Sequence, residues 1–203
     1  MKLIDGGRAP NPRRVRIFLA EKNIEVPLEP FDINTLEHQS DDFRALNPMQ
    51  RVPVLIFDDG TALSESVAIC RYFEELHPEP PLMGVDALDK ARVEMWNRRM
   101  ELNLLASVAA SFRHLHPAMQ KMEVPQVPEW GKANKPKVMA LLRWLDNELA
   151  GRPFIAGDRY TIADITALVA VDFLKPARLA VPEDHGNLLR WHAEVRARPS
   201  AAA

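Results

Sequence analysis

The 203-residue chain contains a single cysteine, Cys70. A lone thiol excludes an intramolecular disulfide, a Cys-x-x-Cys redox pair and a zinc site built from several thiolates. A charge excess of one sign is also missing. The 26 Lys and Arg against 28 Asp and Glu leave a formal net charge of -2, whereas a dedicated nucleic-acid binder is usually strongly basic. No uninterrupted apolar run approaches the ~20 residues of a membrane-spanning helix, and the opening MKLIDGG has no apolar leader segment. The expectation is a cytoplasmic protein with no metal, and with neither nucleic acid nor membrane among its partners. What is present is ordinary for a globular chain, with 47% apolar and 27% charged residues, enough for one large domain or two small ones.

The first third alternates strand and helix patterns. KLID reads as a strand and the stretch from Val15 as an amphipathic helix, with Val15, Phe18, Leu19 and Lys22 on one face. Asn11 suits its N-cap and Pro12 its first turn. EVPLEPF, with Pro27 and Pro30, fits only an edge strand. VPVLIF is a further strand, Asp59-Gly60 a hairpin turn, and a helix follows from Ser64. A long crossover between the first two strands implies a parallel pair. The fold class is thus an α/β thioredoxin-like domain over residues 1–77. A Pro- and Gly-rich linker covers 78–87 and an all-helical domain covers 88–203. In the helical half, Asp86 with Asp89 resembles a capping box opening a long helix that stops at Pro117. Val138, Leu141, Leu142, Leu145 and Leu149 form one stripe, with Pro136 near the helix start or at a kink. Thr161 and Asp164 form a second capping box. Asn187 caps a last helix stopped by Pro199.

Several segments admit both a bland and a chemical explanation. Arg13, Arg14 and Arg16 crowd a helix N-terminus, where cations are disfavoured. They are either a solvated face paired with residues such as Glu21, or neighbours of an anion. In NPMQRVPVL, Pro53 is either a strand-entry proline or the device that leaves the backbone of Val52 free to pair with a peptide. In LSESVAIC, Ser64, Glu65 and Ser66 either cap a helix or make a zwitterion site. In the latter, the helix start and Ser66 hold a carboxylate while Glu65 holds an ammonium. His38 and Gln39 are surface residues unless Arg51 joins them around a carboxylate. Ser107, Ser111 and His114 recur at helical spacing. His114 either serves as a base or merely complements the end of its helix. Cys70, among apolar neighbours, reads as a small buried hydrophobe.

PNPRRVRIFLAEK, NPMQRVPVL, LSESVAICRYFEE and PFIAGDRYTIADITAL, in this order and spacing, resemble the glutathione S-transferases over nearly the full chain. The resemblance implies a cis peptide before Pro53, and Val52 pairing with the cysteinyl part of glutathione. It implies Glu65 and Ser66 at the γ-glutamyl end, and His38, Gln39 and Arg51 around the glycyl carboxylate. It further implies glutathione as co-substrate with no tightly bound cofactor, a small hydrophobic electrophile as second substrate, and a homodimer. On this view the basic start of the first helix faces an anionic thiol.

One departure from the pattern stands out. Where family members carry a serine or cysteine this chain has Ala9, and no tyrosine precedes Tyr72. The chain most resembles an atypical bacterial and fungal subgroup lacking the usual residue. Thiol activation then falls to Asn11, the helix dipole and nearby arginines, or to His114, Ser111 and Ser107 of the long helix. The leading expectation is conjugation of glutathione to apolar electrophiles. A glutathione-dependent disulfide reductase and a non-catalytic glutathione-binding protein are the alternatives.

Overall fold

A computed structural model describes all 203 residues, which form two compact units: Met1–Leu82 together with Ala202 and Ala203, and Met83–Ala201.

The first unit runs β1 (Lys2–Asp5), α1 (Pro10–Glu21), β2 (Leu28–Pro30), α2 (Asp41–Leu46), β3 (Val54–Ile56), β4 (Ala62–Ser64) and α3 (Ser66–Leu76). Its one sheet has the order β2-β1-β3-β4. β1 and β2 are parallel across the α1 crossover, and the β1/β3 and β3/β4 pairs are antiparallel. This is the thioredoxin-like arrangement expected, with the proline-bearing β2 at the edge. Ile4 and Val54 pack with Phe43 of α2, and Phe31, Leu46 and Val52 close the cluster. The pleat turns Leu3 and Leu55, both fully buried, to the opposite face. α2 lies in a stretch to which the sequence pattern assigns no element. Six residues are too few for a helical period, and the Ser40 hydroxyl, which accepts the Phe43 N–H, supplies its cap. Lys22 sits on the apolar face of α1 because its ammonium is fully partnered. It pairs with Glu74 at 2.7 Å and donates to the carbonyls of His77 and Pro80.

Two helix starts differ from expectation. α1 begins at Pro10 with Ala9 as N-cap, so Asn11 lies inside the first turn. α3 begins at Ser66 with Glu65 as N-cap, while Ser64 pairs with Val54 as the last residue of β4. In both places a neighbouring turn or ladder decides the start, whatever the preference of a capping side chain.

The second unit comprises α4 (Ala87–Arg99), a π-helical stretch (Met100–Leu105), α5 (Ala106–Leu115), α6 (Pro128–Glu148), α7 (Ile162–Asp172) and α8 (Gly186–Arg196). The backbone stays helical from α4 through α5, as the single long helix required, and turns extended at His116 before Pro117. The expected box at Asp86 is half made. Asp86 accepts the Asp89 N–H, but the Asp89 carboxylate takes the Val85 N–H and Arg159. α6 starts at Pro128, which places Pro136 in its interior. α7 is buried on every side from Ile162 to Val171, and its capping box of Thr161 and Asp164 is complete. The N-cap of α8 is His185, with Asn187 inside the helix, and Pro199 opens a separate 3-10 turn. No helix is long and apolar enough to cross a membrane.

Candidate functional site

The register of the first sheet gathers the candidate segments at one end. Ile4 pairs with Val54, and Val54 with Ser64. Beyond that end lie the β1–α1 turn with Ala9 to Asn11, the approach to β3 with Val52 and Pro53, and the start of α3 with Glu65 and Ser66. The parallel partner of Asp5 is Pro30, so the chain leaving β2 toward His38 departs from the same end. Gly6 makes the approach possible. A Cβ there would stand 2.5 Å from Cγ2 of Val52.

At the start of α1, Ala9 donates its N–H to the Gly6 carbonyl and Arg13 donates to that of Ala9. Pro10 and Pro12 have no N–H. The donors left in this turn are therefore the Asn11 N–H and the exposed Asn11 side-chain amide. The arginines are not a solvated face. Arg16 pairs with Asp5 and donates to the Gly7 carbonyl at 3.0 Å, while Asp5 accepts the Gly7 N–H at 3.0 Å. This lattice fixes the turn. Arg14 is fully buried and donates from Nη1 to Ser66 Oγ at 2.9 Å.

Val52 precedes a cis peptide to Pro53 and makes no backbone hydrogen bond within the chain. The segment before it is braced by buried Asn47, which donates to the Arg51 carbonyl at 2.8 Å and accepts the Met49 N–H at 3.1 Å. Glu65 stands at φ 68°, ψ 111° with its side chain exposed and not capping α3. A non-glycine residue in that conformation costs of order 1–3 kcal/mol, and such outliers cluster at functional sites. Ser66 is 5% exposed. With Arg14 donating to its oxygen, its own hydroxyl proton and the α3 N-terminus remain for an anion.

His38 is 6% exposed, and its Nδ1 has no hydrogen-bond partner. Burial, helped by the charge of Arg51, holds its imidazole below the usual histidine range. Gln39, the next residue, is exposed, as is Arg51, whose charge reaches the ring. A carboxylate arriving here would favour the protonated ring, so binding would take up a proton. The affinity for S-methylglutathione, which has no thiol to titrate, should then rise as pH falls from 8 to 6. His38→Gln should flatten that slope. Calorimetry giving equal slopes for both proteins would remove His38 from the carboxylate.

Two of the three helical-unit candidates have other occupations. Ser111 is fully buried and donates to the Gly131 carbonyl at 3.3 Å. His114 Nδ1 accepts the Val127 N–H at 3.0 Å, so the neutral ring carries its proton on Nε2, 3.7 Å from Glu123. The lone pair of Nδ1 is thus occupied and Nε2 holds the proton, and the residue ties α5 to the segment before α6. Ser107 is half-buried with no partner for its hydroxyl. Cys70 is fully buried, as expected.

The model of the glutathione S-transferase N-terminal domain matches residues 9–76, and that of the C-terminal domain matches 109–199. The chain belongs to the glutathione S-transferase family. Glutathione S-transferase 2 of Saccharomyces cerevisiae is 37% identical over 98% of this chain and 87% of its own length. The crystal structure of Gtt2 from Saccharomyces cerevisiae superposes with a TM-score of 0.95 at 36% identity, covering all of this chain and 99% of that one. A glutathione S-transferase domain-containing protein of Marinobacter aquaeolei VT8 gives 0.95 at 40% identity, over 98% and 99%. In this glutathione S-transferase, sequence reasoning missed Arg14 as the partner of Ser66, Asn47 as the brace before Val52, and Gly6 as the contact under it. The crowding of arginines at the start of α1 was a signal for the first, but it did not say which arginine turns inward.

Proposed function

We propose that the chain conjugates the thiolate of glutathione to small apolar electrophiles. The observation that carries this is the convergence at one sheet end of Asn11, the free backbone of Val52, and the Glu65–Ser66 helix start backed by Arg14. In this reading Val52 pairs with the cysteinyl part of glutathione, beside Pro53. Ser66 and the start of α3 take the γ-glutamyl carboxylate, Glu65 takes the ammonium, and His38 with Arg51, flanked by Gln39, takes the glycyl carboxylate. Arg14 is a positioning residue that acts through Ser66.

The atypical subgroup lacking a serine, cysteine or tyrosine at the thiol is the fitting home for a chain with Ala9. Asn11 is the thiol's partner, since its two amide donors are the ones left at the α1 start. His114 and Ser111 are assigned to bracing the helical unit, which leaves Ser107 as the candidate there. Leu88, Met95 and Leu102 recur every seven residues and are 61%, 41% and 57% exposed. That apolar stripe supports a homodimer. The setting is the cytoplasm, with glutathione as co-substrate and no bound cofactor.

The test is turnover with 1-chloro-2,4-dinitrobenzene. The glutathione sulfur bonds to the ring carbon, chloride leaves with the bonding pair, and the thiol proton goes to solvent. A hydrogen bond to a charged group is worth about 1.5–3 kcal/mol. Asn11→Ala should therefore raise the bound thiol's pKa by about one unit, its backbone donor being retained. Turnover of a mixed disulfide without the aryl halide would favour the reductase, and binding without turnover of either the non-catalytic protein. An unchanged thiol titration in Asn11→Ala would move activation elsewhere.

A further inference from the structure

An ion pair with little access to water joins the end of β1 to the second turn of α1. The side chains of Arg16 and Asp5 are 16% and 11% exposed. Arg16 donates from Nη1 to Oδ1 of Asp5 and from Nη2 to the Gly7 carbonyl at 3.0 Å. The other oxygen of Asp5 accepts the Gly7 N–H at 3.0 Å. Side chains thus hold both polar groups of Gly7, which stands at φ 58° in the left-handed region. The Gly6 carbonyl takes the Ala9 N–H, and the Ala9 carbonyl takes the Arg13 N–H. The path from β1 into α1 is fastened on both sides of Asn11.

A largely buried ion pair is a poor source of stability. Desolvation of the two charges offsets most of their attraction, and well-packed apolar residues often do as well or better. Apolar residues cannot, however, hold a peptide group from both sides. The guanidinium fork reaches a carboxylate and a carbonyl at once, and the two oxygens of Asp5 divide between that fork and the Gly7 N–H. The pair also has an electrostatic side. The other charged residues of the segments carrying Asn11, Val52 and Ser66 are Arg8, Arg13, Arg14, Arg51 and the exposed Glu65, so Asp5 is the one buried carboxylate among them. A buried anion near a second anion disfavours it, and Arg16 compensates the charge of Asp5.

We infer that Asp5 and Arg16 are positioning residues for the thiol of glutathione, acting through the β1–α1 turn by fixing where the Asn11 donors point. The inference rests on the transferase reading, in which those donors meet the thiolate. A loosened turn leaves glutathione its anchors at Val52, Glu65 and Ser66 but holds the sulfur less well. Positioning and a simple field effect differ in sign. If the pair acted only through its charges, removing the anion Asp5 and keeping Arg16 would favour the thiolate. If it acts by holding the turn, the same change disfavours the thiolate.

The experiment titrates bound glutathione by thiolate absorbance, beside calorimetry with S-methylglutathione. Arg16→Met removes the fork and strands Asp5, and should raise the thiol pKa by about one unit. Arg16→Lys restores the charge but not the fork, and should keep most of that rise. Asp5→Ala should also raise the thiol pKa, although it leaves a cation and removes an anion. In an Asn11→Ala background, Arg16→Met should add less than it does in the parent, because part of the donor set it orients is gone. Affinity for S-methylglutathione should change by less than about twofold throughout. A fall in thiol pKa in Asp5→Ala, or full rescue by Arg16→Lys, overturns the inference in favour of a field effect. Variants that share the parent's titration overturn it, as do variants that lose affinity in step with the thiolate. Should Arg16→Met fail to fold, Arg16→Lys and Asp5→Ala against the parent decide the matter. A parent that holds no thiolate at neutral pH and turns over no electrophile overturns the transferase reading, and this inference with it. A parent that holds thiolate while the variants do not shift overturns the inference alone.

Discussion

Asp164→Asn is expected to lower the melting temperature by roughly 10 °C. The Asp164 carboxylate is fully buried and accepts from four donors. Oδ1 takes the Ile155 N–H and the Trp191 indole N–H, both at 2.9 Å. Oδ2 takes the Thr161 N–H at 2.9 Å and its hydroxyl at 3.2 Å. One carboxylate thus ties the loop before α7, the cap of α7 and the buried Trp191 of α8 together. An asparagine keeps one acceptor oxygen and turns its NH2 toward two donors. Each buried donor left without an acceptor costs about 1–3 kcal/mol, so the total is about 3–5 kcal/mol, which at 2–4 °C per kcal/mol gives that shift. The change far exceeds the ~1 kcal/mol of an ordinary cap.

The pH dependence of Asp164 has a definite sign. Burial pushes its carboxyl up to about 6, although the four donors pull it down. Between the ordinary value of 3.8 and about 6 the folded chain binds more protons than the unfolded one. Its contribution to stability therefore falls as pH rises through that window and is smallest above it. The parent's melting temperature should gain from this group on going from pH 7.5 to 4.5, and the variant should lack that gain. Far-UV circular dichroism melts at the two pH values check both statements. A variant that melts with the parent would mean that the Asp164 network is not a fastening.

The fold was legible because the strong periods coincide with the strong elements. The stripe from Val138 to Leu149 and the Thr161–Asp164 pair each mark a long helix, and the Asp59-Gly60 turn separates β3 from β4. Short elements were not legible. α2 buries Phe43 but spans too few residues to show a face. The starts of α1 and α3 went to Ala9 and Glu65, which have no capping side-chain bond, because the preceding turn and ladder fix the chain there. Pairings distant in sequence escaped for the same reason. Arg14 and Ser66 are 52 positions apart, and nothing local distinguishes a buried arginine from its exposed neighbours. The candidates in the first unit were legible as types of chemistry: an amide donor, a free strand edge, and an acid beside a hydroxyl. Their meeting at one sheet end needed the register. His114 and Ser111 show the converse. Helical spacing put them on one helix, but what occupies their polar atoms, the Val127 N–H and the Gly131 carbonyl, comes from outside it.

Glu65→Ala is expected to weaken glutathione binding by about ten- to a hundredfold. On the proposed reading the exposed Glu65 carboxylate meets the γ-glutamyl ammonium. Removing it strands that cation without a charged acceptor, a loss of about 1.5–3 kcal/mol at 1.4 kcal/mol per factor of ten. The backbone provides an independent check. Glu65 is held at φ 68° with no capping bond in return, and on the proposed reading that conformation is maintained for the ammonium contact of its side chain. Glu65→Gly removes the Cβ that makes this conformation costly. The relief offsets the extra freedom of glycine in the unfolded chain, so this variant should melt no lower than the parent while losing as much affinity as Glu65→Ala. Glu65→Gln, which keeps an acceptor but not the charge, should fall between the parent and Glu65→Ala in affinity. Calorimetry and melting of the three variants decide the matter. If Glu65→Gly is more stable and binds glutathione as tightly as the parent, the carboxylate has no part in binding and the strained backbone needs another cause. If all three lose stability and affinity together, Glu65 holds the start of α3 in place and the ammonium is bound elsewhere.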